Sequence, residues 1–147
     1  MMPLQIFVLI KQVPSLQNLK VNKKTGTIIR EGVENIINPN DLYALEQALQ
    51  LKERYDGTIT VMTMGPPNAE SALREALAMG VDEAIHLCDQ QFAYSDTLQT
   101  TLVLKEAFNH LENYDLIITG SQTSDSSTGQ VPYQLSEALG IPLITHI

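Results

Sequence analysis

Residues 120–131, GSQTSDSSTGQV, place two glycines, a run of hydroxyls and the side-chain amides of Gln122 and Gln130 directly after the apolar stretch 116–119. A segment of this kind at the carboxyl end of a strand in an open parallel sheet stands where ligands collect. Its successive backbone N–H groups, joined by the first turn of a helix starting near Val131, form a nest for negative charge that needs no lysine. The chemistry indicated is phosphate binding, although a merely solvated loop shares the composition. Two further strand ends would face the same crevice. Leu9-Ile10-Lys11-Gln12-Val13-Pro14 closes the first apolar run; in Met64-Gly65-Pro66-Pro67 a glycine admits a ligand close to the backbone and two prolines stiffen the exit. Both also suit ordinary turns. Asn38-Pro39-Asn40-Asp41 precedes a helix and by pattern alone reads as its N-cap.

Other chemistries are poorly served. The patterns GxxxxGK[ST], GxGxxG and GxSxG are absent, so neither a Walker-type phosphate site nor a hydrolase nucleophile is expected. His86, His110 and His146 are widely separated and Cys88 is the only cysteine, which excludes an internal disulfide and leaves no metal-ligand spacing. Cys88 reads as a buried bystander thiol in a reduced, cytoplasmic protein. Glu70, Glu75, Asp82 and Glu83 surround a helix, where carboxylates suit a solvated face better than an acid/base pair. Nine Lys+Arg against seventeen Asp+Glu give a net charge of −8, which argues against a nucleic-acid partner. The start, MMPLQIFVLIKQ, is too short to cross a membrane and lacks a basic n-region, so it reads as a first strand with no membrane insertion.

The elements that must position these groups alternate. Strands are expected at 4–10, 58–64, 83–87, 115–119 and 143–147. The first helix, about 40–54, carries Leu42, Leu45, Leu49 and Leu51 at helical spacing behind Asn38 and Pro39. A second opens at Asn68, keeps Ala72, Leu73, Ala76 and Leu77 on one stripe and stops at Gly80. A third runs from Ser95 or Asp96 to about Glu112, and a fourth from Val131 to Leu139 with Gly140 behind it. The exception is 19–30, where Lys23-Lys24-Thr25-Gly26 lies between LKVN and TIIR and predicts an appended β-hairpin. The remaining rhythm predicts one α/β domain over 1–147: a doubly wound, mainly parallel five-stranded sheet with helices on both faces.

Four segments in order carry a family resemblance: KQVP at 11–14, NPND at 38–41 with YALEQALQLKE behind it, VMTMGPPNAESALREALAMGVDEA at 61–84, and the loop at 120–131. With these, essentially the whole chain resembles the beta (small) subunit of electron transfer flavoprotein, and specifically its amino-terminal portion. The resemblance implies a heterodimer with an alpha subunit that holds the redox FAD, and electron carriage from acyl-CoA or other flavin dehydrogenases rather than catalysis on a substrate of its own. It implies an adenine nucleotide in the beta-subunit crevice, AMP or, in a bifurcating branch, a second FAD. Position by position it points to Leu9 and Met64 at the adenine, and to Asn38, Pro39, Asn40 and Asp41 near adenine or ribose. It also points to Gly120, Ser121, Gln122, Thr123, Ser124, Asp125, Ser126, Ser127, Thr128, Gly129, Gln130 and Val131, with the phosphate at 126–130.

The chain departs from the family pattern at several of these positions. Asn40 stands where a bulky residue is common, Ser121 replaces an arginine, Ser126-Ser127 replace Gly-Asp, and Pro132-Tyr133 replace Gly-Pro. Loss of the arginine removes a possible phosphate or flavin contact, and loss of the aspartate removes a repulsive charge beside an anion. Family members are also longer, and the dehydrogenase-recognition segment and the carboxyl-terminal arm have no counterpart in 1–147. The alternative from another class is a stand-alone adenine-nucleotide-binding regulator of the universal-stress-protein type. Its glycine-rich phosphate loop is absent from the sequence, as is the SGGxDS-like loop of ATP-consuming relatives.

Overall fold

The computed structural model describes residues 3–15, 20–29, 33–93, 95–123 and 128–146. Their elements are, in chain order, β1 (Gln5–Leu9), β2 (Gln12–Pro14), β3 (Lys20–Val21), β4 (Ile28–Ile29), β5 (Asn35–Ile37), α1 (Pro39–Tyr55), β6 (Thr58–Met64), α2 (Glu70–Met79), β7 (Glu83–Leu87), α3 (Thr97–His110), β8 (Leu116–Thr119) and α4 (Val131–Leu139). The main sheet has four parallel strands in the order β7-β6-β1-β8. Alternation along these strands divides the core. Ile6 and Val8 of β1 and Ile59 and Val61 of β6 pack with Ala44, Leu45 and Ala48 of α1 and Ala72, Leu73 and Ala76 of α2. Phe7 and Met62 face the other way, onto Leu104 and Phe108 of α3 and Leu135 of α4. Period-two side chains on buried strands thus dictate helices on both faces. Phe7, Phe108 and Tyr114 meet edge to face, with centroids 5.2 to 6.3 Å apart.

Several expectations are corrected. The described sheet has four strands, not five: residues 143–146 form no ladder, and His146 has φ 55°, a left-handed conformation that extended pairing does not use. Residue 147 lies outside the described residues. The inner stripe of α1 is Asp41, Ala44, Leu45 and Ala48, while Leu42 is 37% exposed, because small side chains let the helix approach the sheet closely. Leu77 of α2 is likewise exposed, and so is Cys88. The thiol follows β7, an edge strand that the sheet covers on one side only.

Of the hairpin expected at 19–30, positions 19 and 30 lie outside the described residues, and pairing among the described residues between β1 and α1 is not confined to it. β3 pairs with β4 and, nearer the body, β2 pairs with β5. Both ladders share one antiparallel register, from Asn38 N–H donating to Lys11 O at the base, through Ser15 N–H to Glu34 O, to Asn22 N–H donating to Thr27 O at the tip. The base rung of this β-ribbon, Lys11 with Asn38, is separated from β1 by one residue and lies directly before α1.

Asp82 ties two layers together at the amino edge of the sheet. Its carboxylate accepts from Ile59 N–H (2.9 Å) and from Lys52 Nζ (2.7 Å) at the end of α1. The Lys52 hydrogen bond first, and the Ile59 amide second, hold its pKa below the ordinary 3.8. Because the folded value is depressed, the contribution is present above pH 3.8 and disappears as pH falls through the lower folded value. Asp82→Ala is expected to cost about 1 kcal/mol at neutral pH, since the pair is partly exposed. Urea unfolding at pH 7 and in acid checks this: the gap between variant and wild type should close on acidification.

Candidate functional site

The sheet order places β1 at a reversal. The chain winds from β1 through α1 to β6 and through α2 to β7, then returns through α3 to β8 on the other side of β1. At such a switch point the loops leaving neighbouring strands diverge and open a crevice at their carboxyl ends. Here the crevice is a cavity of about 460 Å³. Its volume lies in the range of small-molecule sites.

Of the residues expected at the site, Leu9, Asp41, Met64, Gly120, Ser121, Gln122, Thr123, Thr128, Gly129, Gln130 and Val131 line this cavity. Asn38, Pro39 and Asn40 stand behind it rather than on its wall. Ser124, Asp125, Ser126 and Ser127 lie outside the described residues. The lining, apolar over most of its area, includes Leu9, Met62, Met64 and Leu104, with polar groups from Lys11 and the described residues of the loop after β8. A wall from the segment between β7 and α3, including Phe92, Ser95, Asp96 and Thr97, was not anticipated from sequence. The signal available was Asp96 as a helix cap: its Oδ1 accepts from Gln99 N–H at 2.8 Å and fixes the start of α3 beside the cavity.

Asp41 organises the floor. It belongs to the first turn of α1, is only 6% exposed, and its Oδ2 accepts from Lys11 N–H at 2.8 Å. Burial raises its carboxyl from the ordinary 3.8 to about 6, against the opposing Lys11 amide, the Asn38 side chain, the Gly120 amide and the Lys11 charge. One carboxylate thus joins the exits of β1 and β8. Gly120 is required for this closeness: a Cβ there would run into Asp41 Oδ1 and lie 2.9 Å from the Asn40 carbonyl carbon. Gly129 answers a different need, with φ 61° and a Cβ position only 3.1 Å from Ser121 O.

Asn38 occupies the N-cap of α1 but makes no capping hydrogen bond with its side chain. Fully buried, it donates from Nδ2 to Gln122 O at 2.8 Å, and Asn40 Nδ2 donates to the same oxygen at 2.9 Å. Gly65 O lies 3.0 Å from His86 Nε2, and Gln12 Nε2 reaches Ser71 Oγ at 2.7 Å, anchoring the β6 exit to β7 and the ribbon base to α2. Thr101 Oγ1 lies 3.0 Å from Gln134 Oε1 and fastens α3 to α4 beneath the loop. Among the described residues, no three His, Cys, Asp or Glu side chains gather in a cluster that could hold a metal ion.

A doubly wound parallel sheet with a mostly apolar cavity across its switch point defines an α/β protein with an open crevice at the carboxyl ends of its strands. Residues 25–147 match the family described as electron transfer flavoprotein domain, and the chain belongs to that family. It is 47% identical over 144 residues to the electron transfer flavoprotein subunit beta of Thermoanaerobacterium thermosaccharolyticum, covering 98% of this chain and 55% of the relative. It is 46% identical over 148 residues to Protein FixA of Sinorhizobium fredii, covering 98% and 52%. It is 45% identical over 145 residues to the caffeyl-CoA reductase-Etf complex subunit CarD of Acetobacterium woodii, covering 98% and 55%. The chain therefore spans about half the length of the curated relatives it matches.

Proposed function

We propose that this chain is the nucleotide-binding portion of an electron transfer flavoprotein beta subunit, a carrier component rather than a catalyst, and that its cavity holds an adenine nucleotide. The observation that carries this reading is the mixed lining of the cavity. Leu9 and Met64 offer apolar, strand-end surface for a flat base, and the N–H groups and hydroxyls of the described loop residues 120–123 and 128–130 suit a phosphate. Family membership and the names of the relatives support the carrier role.

AMP suits the site better than a second FAD. FAD has more than twice the heavy atoms of AMP, and the cavity measures about 460 Å³. Lys11 is the cation on the wall, Ser121 supplies none, and Pro132 lacks a backbone N–H in the first turn of α4, so the donor set suits a single phosphate. The working assembly in this reading is a heterodimer with an alpha subunit, whose FAD supplies the redox chemistry, receiving electrons from acyl-CoA or other flavin dehydrogenases in the cytoplasm. The contribution of this chain is to bind, to orient and to keep water from the base.

Denaturing the purified chain, alone and after co-expression with an alpha subunit, and identifying the released nucleotides by chromatography and mass tests the proposal. AMP near one equivalent per chain is the expected result. FAD released from this chain alone would assign the cavity to a second flavin, and absence of both nucleotides from both preparations would contradict the proposal.

A further inference from the structure

We infer that Asn38 and Asn40 are positioning residues that hold Gln122, on the cavity wall just after β8, through its carbonyl oxygen. The inference rests on the nucleotide reading of the cavity for its functional meaning, but its geometry stands apart from any ligand. Neither side chain lines the cavity, yet both amides converge on one oxygen, at 2.8 and 2.9 Å. Two donors on the two lone pairs of a carbonyl fix the direction of the following peptide as well as its distance. Asn38 is completely buried, so its amide has no water to exchange for Gln122 O and the bond is costly to leave unmade.

The two asparagines are themselves held on a rigid base. Asn38 N–H donates to Lys11 O at 2.7 Å, the innermost rung of the ribbon, and Asn38 O accepts from Asp41 N–H at 2.9 Å in the first turn of α1. Lys11 N–H in turn donates to Asp41 Oδ2. Ribbon base, helix start and loop thus form one hydrogen-bonded unit, with Lys11 on the cavity wall and Gln122 at its rim. The Pro39 ring supports it, since its fixed φ pre-sets the turn that places Asn38 and Asn40 around a common acceptor.

The test uses the full chain with and without AMP. Because Asn38→Ala leaves a hole in a buried site and can unfold locally, Asn40→Ala at a half-buried position is the principal variant. Without nucleotide, hydrogen exchange at the amides of 120–123 and 128–130 is expected to accelerate about fivefold in Asn40→Ala, the loss of one hydrogen bond, while those of β1 and β6 stay unchanged. With AMP, the dissociation constant rises by a similar factor. Asn40→Asp, which keeps the shape and loses the donor, behaves like Asn40→Ala. Unchanged loop exchange in both Asn40 variants overturns the inference. Faster loop exchange in a chain whose wild type binds no AMP upholds the positioning role and instead removes the nucleotide reading of the cavity.

Discussion

Gly120→Ala is expected to lose about 3 kcal/mol of stability, at the upper end of what one added methyl costs in a packed interior. The cause is steric. The new Cβ meets Asp41 Oδ1, the Asn40 carbonyl carbon at 2.9 Å and Asn40 Cβ at 3.1 Å, and two of those three atoms cannot swing aside. Relief requires β8 to draw away from α1, which pulls Gly120 N–H from the buried Asp41 carboxylate and loosens Gln122 from its two asparagines. Gly140→Ala is the internal comparison: its φ is 67° with nothing within 4 Å of a Cβ, so it carries only the left-handed cost of about 1 kcal/mol. Urea unfolding of both variants reads the difference, and equal losses at the two positions would remove the close-packing account of Gly120.

Asp41 produces the second large effect, visible as a pH dependence. Its folded pKa, about 6, stands above the ordinary 3.8 because burial disfavours the charge. A raised carboxyl means that the folded protein binds the proton more tightly than the unfolded chain between those values, so stability falls as pH rises through the window. The shift corresponds to about 3 kcal/mol. Asp41→Asn titrates nothing at this position, and its amide group opposes one of the N–H donors from Lys11 and Gly120, so it is less stable than wild type in acid. Its disadvantage should shrink by about 2 kcal/mol between pH 4 and pH 7, as wild type acquires the buried charge. Denaturation midpoints of the pair across that range decide it; a gap that stays constant or widens with pH would show that Asp41 is not held as a desolvated acid.

Punctuation made most of the helices legible. Gly80 and Gly140 take the left-handed conformations that end α2 and α4, and Asp96 caps α3. The runs at 58–64 and 83–87 became strands with the expected bounds: the middle of 58–64 is buried, as a strand covered on both faces demands, whereas Glu83 and Ala84 of the edge strand β7 are exposed. Legibility failed where long-range pairing decides the outcome. β2 and β5 are three residues each, β2 ends in a proline, and only their pairing with each other across more than twenty positions makes them strands. The run 143–147 has strand composition without a ladder among its described residues.

The cavity was legible in the same uneven way. Strand ends and a polar loop announce themselves by composition, so Leu9, Met64 and the described part of 120–131 fell on its wall. The wall at Phe92 and Ser95 comes from a short helical turn with no compositional mark. The separate duties of Asn38 and Asp41 were also hidden, since a cap pattern does not say whether a side chain bonds its own helix or a loop more than eighty positions away.

Methyl-resolved NMR of the chain titrated with AMP tests the central claim most directly. Saturable shifts at Leu9, Met62 and Met64, with amide shifts at 120–123 and 128–131 and none at the amino edge of the sheet around Tyr55 and Asp115, are the predicted result. Shifts at that amino edge, or none at the three cavity side chains at saturating AMP, would contradict an adenine nucleotide in the crevice between β1 and β8.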